Sequence, residues 1–268
     1  MKGCIVVAEQ TRFGPIPIKG ELTQTLPQVS QYGFKYVELN IKNPFTLEKQ
    51  EMKKLLAKNN LKVAALASGY PYFMENISFT DQRVEARELA VKRLFEYIEM
   101  ASILESQVII GSIRGEAPKE IEAEISYQRF LEALDKCLNK AKEEGVYLAL
   151  EPVNRYEMNF INTVSQGLEV INTLKHPNLK LLIDTFHMNI EEPSIYESIR
   201  AARGYISHVH IADSNRWSMG CGHLDFEKIL EVLTEINYNG ALSAELLPMP
   251  NPEEAVKKII EFFSKKEL

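Results

Sequence analysis

The chain has 268 residues, 45% hydrophobic and 25% charged, with a formal net charge of −6 at pH 7. No apolar run approaches the roughly 18 residues needed to cross a bilayer, and the acidic balance lacks the clustered Lys and Arg that a nucleic-acid backbone demands. A membrane span and a nucleic-acid partner are thereby excluded, and a small-molecule partner is expected. The opening MKGCIVVAEQ holds an apolar run too short for a secretory signal and reads as a first strand, so a cytoplasmic location is expected. Cys4, Cys137 and Cys221 show no CxxC spacing and are odd in number, which argues against both a disulfide framework and a zinc knuckle.

In chain order, short β-branched apolar runs fall at 3–8, 36–39, 63–67, 108–110, 146–150, 179–183, 206–211 and 241–246, eight in all. Segments of helical periodicity lie between them, as at 83–104 and 127–144, with apolar residues recurring at three- and four-residue steps. A terminal helix is expected over 253–263. Alternating strand and helix implies a parallel sheet, and eight such units are the number at which the sheet closes. The expected fold is therefore α/β, a (β/α)₈ TIM barrel forming one catalytic domain over 1–268. No GxGxxG or GxxxxGK[ST] occurs, against a doubly wound nucleotide-binding sheet.

Active sites of such barrels lie where the strands end. Strand five ends LALEPVN and places Glu151 there; strand six ends LLIDTFH and places Asp184; strand seven carries SHVHIAD with His210; strand eight runs ALSAELL with Glu245 near its mouth. A lone acid after a strand is usually a cap or a loop ion pair, but four potential ligands in register converge. Carboxylates gathered without a cation would repel one another at a cost of several kcal/mol. One divalent ion is expected, and three carboxylates with one imidazole suit Mn²⁺, Mg²⁺ or Co²⁺ better than zinc.

The segments EPVNRYEMNFINT (151–163), IDTFHMNIEE (183–192) and HVHIADSNR (208–216) closely resemble the xylose isomerase-like barrel family, in particular its ketose 3-epimerase branch. The resemblance covers strands five to eight; the first hundred residues match only in layout. It implies metal ligation by Glu151, Asp184, His210 and Glu245, the four chosen from the strand ends. It implies further that Glu151 and Glu245 move a proton between the two faces of a substrate carbon, and that Glu157, His187 and Arg216 bind substrate oxygens. Glu157 could instead be an ordinary loop acid, His187 a helix cap, and Arg216 the partner of Asp213 or Glu157. His208 shares the inward face of strand seven one layer below His210 and reads as a core or supporting histidine. His223 follows a Gly-rich loop, where packing is the simpler reading, and Asp225 is expected to cap the helix beginning FEKILEVL.

After strand four the chain reads GSIRGEAP, setting Arg114 at the expected mouth. Arg114 either reads a carboxylate or phosphate on the substrate or pairs with Glu116 or another loop acid. Tyr70, Tyr72 and Phe73 form either an apolar pocket wall or loop packing. The leading expectation is a metal-dependent epimerase acting on a ketose or keto sugar acid. An aldose-ketose isomerase of the hydroxypyruvate isomerase type is the alternative with the same ligands. Five histidines and an acidic chain argue against a histidine-rich endonuclease IV-like site, and both glutamates argue against a merely sugar-binding barrel. The sequence leaves a homo-oligomer open.

Overall fold

The computed structural model describes residues 1–9, 14–44, 48–117 and 123–268. Eight parallel strands close into a barrel: β1 Lys2–Ala8, β2 Tyr36–Asn40, β3 Lys62–Ala67, β4 Val108–Ile110, β5 Leu148–Leu150, β6 Leu179–Asp184, β7 Ile206–Ile211 and β8 Ala241–Ala244. Each pairs with the next, and β1 pairs with β8 (Gly3 beside Leu242, Ile5 beside Ala244), which closes the ring. An extra two-residue strand, Ile18–Lys19, lies against the end of β1.

The strands read as apolar runs because both faces are covered. One face packs against the outer helices, and Ala65, Ile109, Ala149 and Leu182 make a separate small buried cluster, one residue from each of β3 to β6. Small and branched side chains fill such an interior as a packed core. Among the described residues, buried acidic and histidine side chains sit within this apolar frame only on strands that build the site: Glu38 on β2, Asp184 on β6, and His208 and His210 on β7, all fully or almost fully buried.

Around the barrel run α1 Leu22–Gln31, α2 Lys49–Lys58, α3 Tyr70–Glu75, α4 Val84–Ile103, α5 Ala123–Glu144, α6 Val164–Leu174, α7 Thr185–Glu191, α8 Ile195–Ala201, α9 Phe226–Glu235 and α10 Pro252–Lys265. Local chemistry sets several starts. Thr163 and Gln166 form a reciprocal capping box at α6, and Asp225 accepts from the Lys228 amide at α9, as its position before an apolar run predicts. The last helix outruns its expected span at both ends; its earlier start follows from Asn251, which caps it, and Pro252, which begins it, both favourable outside the apolar stripe. The expected last strand stops earlier, at Ala244, so that Glu245 belongs to the loop at the barrel mouth. Among the described residues no helix is long and apolar enough to cross a membrane.

Candidate active site

Register brings the first two candidate ligands together: Asp184 at the end of β6 is the direct neighbour of His210 on β7, which in turn neighbours Ser243 on β8, two residues before Glu245. Glu151 follows β5 with its amide donating to the Ile110 carbonyl at 3.1 Å. The Asp184 carboxylate caps α7, its Oδ1 accepting from the Phe186 amide at 2.7 Å, which commits one oxygen and aims the other, Oδ2, into the barrel mouth. His210 Nδ1 lies 3.5 Å from Glu151 Oε1, 3.9 Å from Asp184 Oδ2 and 3.6 Å from Glu245 Oε2. One ligand atom from each of Glu151, Asp184, His210 and Glu245 lies within 4.8 Å of all the others.

The donor set fits a hard divalent cation. Asp184 Oδ2 and His210 Nδ1 are buried with no hydrogen-bond partner, although both face the centre of the cluster. Buried polar atoms are rarely orphaned, and two converging on one point mark a place for a ligand that both can hold. Without a cation the cluster is strained electrostatically. Burial, reinforced by the charges of Glu151 and Asp184, pushes the Glu245 carboxyl up to about 8 despite the opposing His210 and Arg216. Burial works the same way on Glu151, but the His210 imidazole beside it, with His187 and Arg114 behind, holds that carboxyl below the usual range. His210 loses basicity through burial and regains more from Glu38, Glu245 and Glu151, so its pKa stands well above that of a free imidazole.

Glu38 is a residue of the cluster that the sequence did not single out. Its Oε2 accepts from His210 Nε2 at 2.9 Å and from His208 Nε2 at 2.8 Å, all three groups being buried. His208 is thus the supporting histidine expected from its position. A signal was available, since an acid between Val37 and Leu39 in a central strand must find partners, and the inward histidines of β7 provide them. What hid it is distance in sequence, 172 residues between Glu38 and His210.

Above the cluster opens a cavity of about 520 Å³ lined by Glu157, His187 and Arg216 among others. Arg216 bridges Glu157 at 2.7 Å and Glu245 at 3.3 Å, with its guanidinium 4.7 Å from the centre of the Phe186 ring. Its backbone is left-handed, φ +59°, an uncommon state for a side-chain-bearing residue and one often kept at functional sites. The turn around it enforces this: its amide donates to the Asp213 carbonyl, and its own carbonyl accepts from the Leu247 amide, each at 2.7 Å. Tyr70 and Phe73 line the cavity wall, whereas Tyr72 is not a lining residue and packs edge-on against Phe73. His223 is exposed and reaches Asn189 at 3.2 Å, consistent with loop packing.

Arg114 requires a correction. It is fully buried, and its guanidinium donates to the backbone carbonyls of Glu151 at 2.6 Å, Gly111 at 3.3 Å, Phe160 at 3.3 Å and Ile161 at 3.2 Å. It lies on the short 3₁₀ turn Ser112–Arg114 that follows β4, and with its guanidinium committed to these carbonyls it neither lines the cavity nor pairs with Glu116. Burial lowers its pKa to about 10, leaving it a cation at neutral pH.

With this geometry in place the comparisons are decisive. Residues 26–266 match the model of the xylose isomerase-like TIM barrel family. The chain belongs to that family. It is 35% identical over 242 residues to an L-ribulose 3-epimerase of Mesorhizobium japonicum, covering 90% of this chain and 80% of that one. A D-psicose 3-epimerase of Ruminiclostridium cellulolyticum is 32% identical over 203 residues, covering 70% and 67%. Among solved structures, an L-ribulose 3-epimerase superposes with a TM-score of 0.79 at 30% identity, over 98% of this chain and 86% of its own.

Proposed function

We propose that residues 1–268 form one catalytic unit, a metal-dependent sugar epimerase that inverts the carbon next to a carbonyl by moving protons between Glu151 and Glu245. The observation that carries this reading is the convergence of those two carboxylates, from strands three apart in the ring, on one cavity floor beside His210. Carboxylates reaching a bound carbon from different directions can take a proton from one face and return one to the other, which is what inversion requires. A proton next to a carbonyl is only weakly acidic, so removing it needs stabilisation of the negative oxygen that develops. A divalent ion held by Glu151, Asp184, His210 and Glu245 supplies that as a Lewis acid, and the oxygen-rich set favours Mn²⁺, Mg²⁺ or Co²⁺. Glu157, His187 and Arg216 hold the substrate's oxygens, and Tyr70 and Phe73 cover its carbon skeleton.

The substrate is a small sugar, and a neutral ketose is favoured over a sugar acid. Arg216 is the sole Arg or Lys among the described lining residues, and two carboxylates already neutralise it. In a 2-ketose the stereocentre next to the carbonyl is carbon 3, because carbon 1 is not stereogenic. The relatives named above act at the same carbon, which also disfavours an aldose-ketose isomerase. We propose a cytoplasmic location for the reaction. The test is to strip the protein with a chelator, restore Mn²⁺, Mg²⁺ or Co²⁺ singly, and supply L-ribulose and D-psicose. The 3-epimer of at least one sugar should appear only with metal; aldose as the sole product would return the reaction to the isomerase class.

A further inference from the structure

Asn154 lies just beyond Glu151 and is almost wholly buried, yet it does not line the cavity. Its side-chain amide makes three contacts that leave no freedom of orientation. Oδ1 accepts from the Tyr156 backbone amide at 3.0 Å, and Nδ2 donates to Glu157 Oε1 at 3.0 Å. Turning the amide over would set oxygen against a carboxylate and NH₂ against an N–H donor, losing both bonds and adding a repulsion. With the amide so fixed, the third contact, Nδ2 to His187 Nδ1 at 2.7 Å, must be a donation to the ring. His187 Nδ1 is therefore an acceptor, and the ring's single proton sits on Nε2.

Nε2 belongs to the side of the ring that faces the site, 3.7 Å from Asp184 Oδ2 and 3.9 Å from Glu151 Oε1, too far from either for a hydrogen bond. We infer that Asn154 is a positioning residue that locks His187 as the Nε2–H tautomer, so that an N–H donor rather than a lone pair meets a substrate oxygen. The inference rests on the reading of this cavity as the site of proton abstraction next to a carbonyl. An N–H aimed at the oxygen that becomes negative stabilises it, whereas the other tautomer would present a lone pair to the same charge. Loss of one such donor costs a rate factor of about 10² to 10³ in well-studied oxyanion sites. The same amide bonds Glu157, so one residue couples the orientation of two side chains of the pocket.

The test begins with the histidine tautomers of the ¹⁵N-labelled protein, loaded with diamagnetic Mg²⁺ and again after chelation, using His187→Gln to assign the signal. His187 should carry its proton on Nε2 and show a bare Nδ1 in both states; a protonated Nδ1 in the wild type overturns the inference whether or not any sugar is turned over. Asn154→Asp replaces the donor with an acceptor and should move the proton to Nδ1, lowering kcat by about a hundredfold with KM changing much less. In a His187→Gln background the same substitution should cost at least tenfold less than it does in the wild type, what remains being its effect on Glu157. Equal losses in the two backgrounds would show that Asn154 does not act through His187. An absence of epimerase activity alongside the Nε2–H signal would count against the proposed reaction and leave the tautomer assignment standing.

Discussion

Glu38 Oε2 receives the Nε2 proton of His210 at 2.9 Å, and this one bond decides which nitrogen of His210 faces the carboxylates of Glu151, Asp184 and Glu245. A carboxylate behind a ligating imidazole fixes its tautomer and raises its basicity, and loss of such a partner typically lowers metal affinity about 10- to 100-fold. Glu38→Gln keeps an oxygen for the two histidines and removes the charge. Calorimetric titration of the stripped variant with Mn²⁺ should show a loss in that range with the fold retained; an unchanged affinity would remove Glu38 from the metal site.

Gly111 gives a second test, by shape alone. A Cβ added there would stand 2.7 Å from Glu151 Oε2, closer than two such atoms can approach, so Gly111→Ala must displace the Glu151 carboxylate. Metal affinity and kcat should both fall, while thermal stability changes little because the substitution borders the cavity rather than the packed core. Wild-type activity in this variant would mean that Glu151 has room to move without consequence.

Arg114→Met should act on stability instead of specificity. It removes the buried donor that the carbonyls of Glu151, Phe160 and Ile161 share, at a cost of roughly 2 to 4 kcal/mol. Denaturant unfolding measures the loss, and KM values for a neutral ketose and for the matching sugar acid should shift by similar factors. A selective loss of the acid would restore Arg114 as a reader of substrate charge.

The barrel was legible because its signals are local. Apolar runs and three-to-four-residue periodicities mark the strands and helices, and Glu151 follows an apolar strand, Asp184 ends one and His210 lies one residue from the end of another, as barrel chemistry requires. Glu38 and Asn154 were not legible, since an acid or amide declares its role only through partners the fold brings to it, 170 residues away for Glu38 and His208, and 33 for Asn154 and His187. Arg114 was misread for a related reason. Its place after β4 was right, but the carbonyls that hold its guanidinium, those of Glu151, Phe160 and Ile161, lie 37 to 47 residues away and leave no mark in hydrophobic patterning.

The loop carrying Arg216 should respond to acid. Asp213 is buried; its Oδ1 accepts from the amides of Ser214 at 2.7 Å and Leu224 at 3.1 Å, and its Oδ2 from Gly220 at 2.8 Å. Burial opposes its ionisation, but these backbone donors outweigh it and hold the carboxyl below the usual range. A carboxyl whose folded pKa lies below its unfolded value of about 3.9 stabilises the fold above that value, and the contribution disappears as pH falls through the folded pKa. Amide exchange at Gly220 and Leu224, corrected for intrinsic rates, should therefore be constant from neutral pH down to about 4 and lose protection below it. Asp213→Asn should show weakened protection already at neutral pH; full protection there would mean that the loop is held by other contacts.

The most direct measurement of the central claim is the position and timing of deuterium incorporation during turnover in D₂O by the metal-loaded protein. Transfer between Glu151 and Glu245 predicts that early product carries one deuterium at carbon 3, because the second carboxyl delivers a solvent-derived proton, while unreacted ketose remains unlabelled. Epimerised product with no deuterium at carbon 3, or label at carbon 1 or 2 accompanied by aldose, would contradict it.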